Sequence, residues 1–289
     1  MEQQLAAGVT RIKDPGGRDA LQLACGDSVA VVSLLGAQVL SWRTACGDVL
    51  WTATNAKYEA GKPVRGGVPL VFPWFGDHPS DDKRPAHGFA RNLEWRLVHA
   101  NPGPEVVLET SDDDSTRTLW PHAFRLRLSI SVADTLRLVL TVENPGEQPF
   151  SFEEALHTYF AVGDVKTATL HGLEGVPFTE TAAAPEAKWD PRQPLAFRAE
   201  TDRVFQGAPE KLELRAPSLS RAVALKSRDA KSTIVWNPWP EKCARLAQMA
   251  PDDWTKFCCV ETANVRANAV KLGPGEAHRM SLTLTCAKV

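Results

Sequence analysis

"FRLRLSISV", residues 124–132, decides the fold class. Phe124, Leu126, Leu128, Ile130 and Val132 fall on one face of an extended chain, with Arg125, Arg127, Ser129 and Ser131 on the other. A period of two belongs to a half-buried strand, whereas a helix needs spacings of three and four. Ala133–Asp134 then turn the chain, and "TLRLVLTVENP" (135–145) alternates again, so the two runs read as a β-hairpin. Outward from this hairpin, strand patterns recur in "SVAVVSLLGAQVLSW" (28–42), "EVVLET" (105–110), "ATLHGL" (168–173) and "KLELRA" (211–216). They continue in "AVALKS" (222–227), "TIVWN" (233–237), "KFCCVETA" (256–263) and "RMSLTLTCAKV" (279–289). Helical periodicity is best in "PEKCARLAQM" (240–249), which starts on proline and is followed by Pro251. The 21 prolines, about 7% of 289 residues, exceed the usual ~5% and punctuate the strands instead of gathering in one linker. Two excursions, 111–122 and 181–197, are too short to divide domains. The expectation is an all-β antiparallel sandwich forming a single domain over 1–289.

Bulk properties exclude several functions. A net charge of −2 argues against nucleic acid or an anionic membrane as partner. No apolar run approaches the ~18 residues of a membrane span. "MEQQLAAGVT" at the start has neither the basic segment nor the apolar stretch of a signal peptide, so a cytoplasmic location is expected. The six cysteines (25, 46, 243, 258, 259, 286) form no CxxC pair and read mostly as small reduced core residues. The seven histidines contain no HxxxH or HExxH, so neither metal nor other cofactor is expected. Composition favours a monomer.

Three segments carry chemistry. In "PFSFEEALHTYFAVGDV", a strand over 150–160 puts Phe150, Phe152, Leu156 and Phe160 on one face and Glu153, Ala155, His157 and Tyr159 on the other. His157 is either a turn-satisfied surface residue or, given Glu153 and Tyr159 beside it, part of a polar cleft. In "KFCCVETANV", Glu261 shares a face with Phe257, Cys259, Ala263 and Val265. A carboxyl so placed is poorly solvated, and desolvation raises its pKa toward that of a useful general base. A structural glutamate paired with arginine is the plainer reading. In "RGGVPLVFPWFGDHPS" (65–80) and "RPAHGFARNLEW" (84–95), Arg65 and Arg91 sit on stiff loops beside Phe72, Trp74 and Phe75. Two forked cations can clamp an anion, the Gly66–Gly67 backbone can offer N–H groups to it, and aromatic walls suit a sugar ring. Trp74 is the aromatic expected in the pocket, although each of these residues taken alone also fits a surface ion pair or the core.

With "LHTYF", "TDRVF", "IVWNPW" and "VETANV" following in order, these segments make the chain resemble the glucose-6-phosphate 1-epimerases, or hexose-6-phosphate mutarotases, of the aldose 1-epimerase superfamily. The resemblance runs from about residue 30 to the C-terminus. It implies a galactose-mutarotase-like β-supersandwich and an isomerase that interconverts the α and β anomers of a hexose 6-phosphate. It implies His157 as the acid at the ring oxygen and Glu261 as the base at the anomeric hydroxyl, acting from opposite sides of the C1–O5 unit. It further implies Arg65 and Arg91 at the phosphate, His87 and Asp202 at sugar hydroxyls, and a stacking role for Trp236. Ala86 stands where many eukaryotic relatives carry glutamine, which removes one polar contact. An aldose epimerase for unphosphorylated sugars and a non-catalytic carbohydrate-binding protein are the competing readings. A glycoside hydrolase would need a second well-placed carboxylate.

Overall fold

A computed structural model describes residues 5–183 and 189–289. Nearly all regular structure among them is antiparallel strand, as the alternation requires. The founding hairpin forms as Arg125–Val132 and Thr135–Glu143, with Leu136 opposite Val132 and Leu140 opposite Leu128. It lies inside a nine-stranded sheet, flanked by Glu105–Ser111 on one side and the twelve-residue strand Ala277–Lys288 on the other. A seven-stranded sheet faces it, built from Phe178–Glu180, Thr201–Gln206, Ser232–Asn237, Phe257–Asn264, Glu154–Leu156, Tyr159–Ala161 and Leu70–Val71. A five-stranded sheet is made from the first strands, Val9–Lys13 through Gly47–Asp48.

The main core fills the space between these sheets. Leu126, Leu128, Ile130, Leu138 and Leu140 from the hairpin meet Leu156, Phe160, Phe205, Val235, Cys258 and Val260 from the seven-stranded sheet. Each fully buried aliphatic or aromatic side chain contributes roughly 1.5–3 kcal/mol relative to an exposed one. The seven-stranded sheet has a second face, and its residues are not in that core. Two small apolar clusters cover it, one around Trp51, Tyr159, Trp236 and Phe257, the other around Val71, Phe75, Val204 and Ile234. The functional candidates lie between them.

One expectation needs correction here. The helix expected over 240–249 is only Trp239–Cys243, five residues long, and turns follow it. A hydrogen-bonded turn at Leu246–Met249 and contacts of Cys243 and Met249 with the Trp236 cluster fold this segment onto the sheet instead. The excursion 111–122 contains a six-residue helix, Asp114–Leu119, started by Asp113 with Thr116 as a reciprocal cap. Part of the other excursion, 184–188, lies outside the described residues.

Candidate active site

The run 150–160 is not one strand. Phe150–Phe152 pairs with Val270–Leu272, Glu154–Leu156 with Phe257–Asn264, and Tyr159–Ala161 with Phe257–Asn264 again. Thr158 N–H turns back to the Leu156 carbonyl, which interrupts the ladder at 157–158. The register is the same on both sides of the break: Leu156 faces Thr262 and Tyr159 faces Cys259. Position 157 therefore stands opposite 261. Across the sheet, Ile234 pairs with Glu261 and Val204 with Ile234, while Trp236 pairs with Cys259 and Asp202 with Trp236. Two neighbouring cross-strand rows result, Val204–Ile234–Glu261–His157 and Asp202–Trp236–Cys259–Tyr159, on the sheet face turned away from the main core.

Above these rows lies a cavity of about 550 Å³. His157, Tyr159, Asp202, Trp236 and Glu261 line it, and Arg65, His87, Arg91, Lys242 and Arg266 stand around them. His157 Nε2 is 3.4 Å from Glu261 Oε1, and both side chains are nearly inaccessible. They stand side by side on the sheet face that floors the cavity. His157 Nδ1, Glu261 Oε2 and Arg91 Nε are buried without a hydrogen-bond partner. Buried polar atoms are normally paired, so three orphans at one cavity leave room for a polar guest.

The electrostatics separate the two groups. Burial, followed by the nearby charge of Asp202, holds the Glu261 carboxyl well above the carboxylate range, against the opposing pull of Arg91. Burial likewise holds the His157 imidazole well below its ordinary value, helped by His87, Arg91 and Arg65. Both shifts favour the uncharged forms, a neutral imidazole beside a protonated carboxyl. His157 is oriented by a stacked contact with Tyr159, 4.8 Å between centroids at 7°, and by edge contacts with His87 and Trp236.

The rim is made by the proline-rich loops. Gly66 and Gly67 have φ of +132° and +61°, and a Cβ at Gly67 would stand 2.0 Å from the Val39 carbonyl oxygen. Gly67 N–H donates to the Trp51 carbonyl, so this glycine is needed for close backbone packing and its N–H is not turned toward an anion. Gln38 pins the same segment through the Val64 and Gly66 carbonyls. Arg65 is held by its Nε donating to the Ala247 carbonyl, and Arg91 by one guanidinium nitrogen donating to the Ala86 carbonyl. Burial lowers the Arg91 pKa to about 10, which leaves it charged at neutral pH. His87 takes φ of +62°, and its Nδ1 accepts the Gly76 N–H, leaving Nε2–H as the free donor. Burial and three arginines push its pKa to about 3, so it is neutral. Asp202 has its pKa raised by burial and lies 3.5 Å from Lys242 Nζ.

Of the eight site residues expected from the sequence, seven line this cavity: His157, Glu261, Arg65, His87, Arg91, Asp202 and Trp236. Trp74 does not. Its indole N–H donates to the Pro85 carbonyl and its rings pack in the main core against Phe89, while its neighbour Phe75 lines the cavity. Adjacent residues on an irregular loop point to different sides, and sequence alone does not say which points inward. Lys242 and Arg266 also line the cavity, and no sequence expectation covers them. Arg266 directly follows "VETANV", and a cation just past a strand that carries Glu261 on its cavity face was the available signal. Among the described residues no group of His, Cys, Asp and Glu is placed to hold a metal ion, and no helix is long and apolar enough to cross a membrane.

The family model described as aldose 1-epimerase matches residues 19–285. A protein of Escherichia coli (strain K12) named "Putative glucose-6-phosphate 1-epimerase" is 35% identical over 240 residues, covering 81% of this chain and 79% of its own. A protein of the same name from Cenchrus ciliaris is 29% identical over 290 residues, covering 95% of this chain and 86% of its own. The crystal structure of a protein from Salmonella typhimurium titled a "putative mutarotase" superposes with a TM-score of 0.88 at 29% identity, covering 99% of this chain and 96% of that one.

Proposed function

This chain belongs to the aldose 1-epimerase family, and we propose that it interconverts the α and β anomers of a hexose 6-phosphate, glucose 6-phosphate first among them. One observation carries the reading. An imidazole nitrogen and a carboxyl oxygen stand 3.4 Å apart on the floor of a cavity that the guanidinium groups of Arg65 and Arg91 also line. The two oxygens of a hemiacetal share one carbon. Groups a hydrogen-bond length apart can therefore reach both at once.

In this mechanism Glu261 takes the proton from the anomeric hydroxyl while His157 delivers one to the ring oxygen, and the C1–O5 bond breaks to leave an aldehyde. C1 turns about its bond to C2. Closure from the other face reverses both transfers and restores the starting protonation. The working form carries one exchangeable proton on the pair, as does the uncharged pair that burial favours. A phosphate dianion between Arg65 and Arg91 cancels part of the positive field that keeps His157 neutral, so substrate binding helps the imidazole accept the proton. His87 donates from Nε2 and Asp202 accepts, holding ring hydroxyls. Forked guanidinium–phosphate contacts fix the other end.

Exchange spectroscopy on α-glucose 6-phosphate tests the proposal. Wild-type protein is expected to accelerate anomer exchange well above the spontaneous rate, and His157→Ala and Glu261→Gln to abolish the acceleration. Spontaneous exchange in the presence of wild type would leave a sugar-binding protein without catalysis.

A further inference from the structure

The cavity has a second cationic end that the family reading leaves without a role. The strand Phe257–Asn264 runs along its floor with His157 and Glu261 near the middle. Tyr159 N–H donates to the Gly67 carbonyl, so Arg65 enters past the Phe257 end. Arg266 follows Asn264 at the opposite end.

Arg266 is held there in an unusual way. Its φ is +59°, a conformation that costs a non-glycine residue on the order of 1–3 kcal/mol and persists where the surroundings impose it. Its N–H donates to Glu153 Oε1 at 2.6 Å, while Glu153 Oε2 accepts the Phe75 N–H at 2.8 Å. One carboxylate thus ties together the two loops that carry Arg266 and Phe75. The guanidinium carbon lies 5.7 Å from the centre of the Phe75 ring. One terminal nitrogen stands 3.6 Å from where a Cβ on Gly76 would be. Among the described residues the guanidinium has no hydrogen-bond or ion-pair partner, and Arg266 is exposed at the wall of the cavity.

We propose that Arg266, seated on Phe75, is a specificity-determining residue that donates to the hydroxyl on C2 of the hexose, at the end of the cavity opposite the phosphate. The inference rests on the function proposed above. With the phosphate at Arg65 and Arg91 and the C1–O5 bond over His157 and Glu261, the covalent order C6, C5, O5, C1, C2 makes C2 the next atom outward. A guanidinium there meets an equatorial 2-hydroxyl through an N–H donor, and the Phe75 ring offers apolar surface beside it.

The experiment compares anomer exchange on glucose 6-phosphate, 2-deoxyglucose 6-phosphate and free glucose, for wild type, Arg266→Gly and Arg266→Lys. Glycine adopts a positive φ freely, so Arg266→Gly removes the side chain while relieving the backbone, and its melting temperature is expected to be no lower than wild type's. Wild type is expected to prefer glucose 6-phosphate over the 2-deoxy sugar by roughly ten-fold or more in kcat/KM, the scale of one charge-assisted hydrogen bond. In Arg266→Gly that preference falls to near unity, with Arg266→Lys between. Equal exchange of the two phosphates by wild type, or full preference in Arg266→Gly, overturns the assignment. A loss in Arg266→Gly confined to phosphorylated sugars and equal for both also overturns it, by making Arg266 a third phosphate ligand. If wild type accelerates none of the three sugars, the functional reading falls and this inference with it.

Discussion

Two histidine–glutamate pairs lie beside the ladder between Glu154–Leu156 and Phe257–Asn264 and meet opposite fates. Glu154 faces Asn264 across the ladder, and its buried Oε1 accepts from Asn264 and lies 3.0 Å from His278 Nε2. Burial alone would lower the His278 pKa, but the hydrogen bond and charge of Glu154 outweigh it and raise it. Three residues along, on the other face, His157 and Glu261 are 3.4 Å apart, the histidine is pushed down and the glutamate up. The chemical partners are the same. Their surroundings differ: His157 faces His87, Arg91 and Arg65, and Glu261 faces Asp202, whereas His278 has only Lys231 opposing it and Asp229 in support. Below pH 6.5 one pair is settled as an ion pair that links two sheets. The other is kept from settling, which leaves a proton free to move.

The largest expected effect tests that contrast directly. Glu261→Gln and His157→Asn should each lose about 10²–10⁴-fold in kcat, the usual scale of general acid–base catalysis, while neither lowers the melting temperature much. His278→Leu should do the reverse. It leaves Glu154 buried without its cation, at a cost on the order of 3 kcal/mol by denaturant titration, with kcat per folded molecule little changed. If both pairs respond alike in activity and stability, the distinction between them fails.

Arg65→Ala should raise KM for glucose 6-phosphate by roughly 10–100-fold, from the loss of charge-assisted contacts worth ~1.5–3 kcal/mol, and hardly affect free glucose. Equal losses on both sugars would remove Arg65 from the phosphate. A smaller effect sharpens the comparison through pH. Because the His278 pKa is raised in the folded state, its stabilising contribution is complete below the ordinary histidine value of 6.5 and disappears as pH rises through the higher folded value. Wild type should therefore lose its stability margin over His278→Gln as pH is raised above 6.5. Burial moves His157 below 6.5 and Glu261 above 4.5, so an acid limb of kcat at saturating substrate should lie below the ordinary histidine value. An acid limb centred near 6.5 would contradict it.

How much of this was legible in advance varies by residue. The strands were, because alternation in 124–132 and 257–264 reports directly which side chains share a face. Glu261 among Phe257, Cys259 and Ala263 was read as a poorly solvated carboxyl from that pattern, and its pKa is raised chiefly by burial. Trp74 and Phe75 could not be told apart, since no period governs a loop of prolines and glycines. Glu153 was grouped with His157 as part of a polar face. Its carboxylate instead accepts the backbone N–H groups of Phe75 and Arg266, partners 78 and 113 positions away. The helix expected over 240–249 shrank for a similar reason, its apolar residues being used to cover Trp236.

The alternation of apolar side chains, and with it the choice of sheet over helix and the sidedness of each strand, belongs to the chain alone, because a strand's geometry depends only on its own backbone. Bringing residue 157 opposite residue 261 does not. That depends on the ladder resuming in the same register after a two-residue break, and on loops from three distant segments closing over the result. Hydrogen bonds between strands far apart in the chain decide both, and no local pattern encodes them.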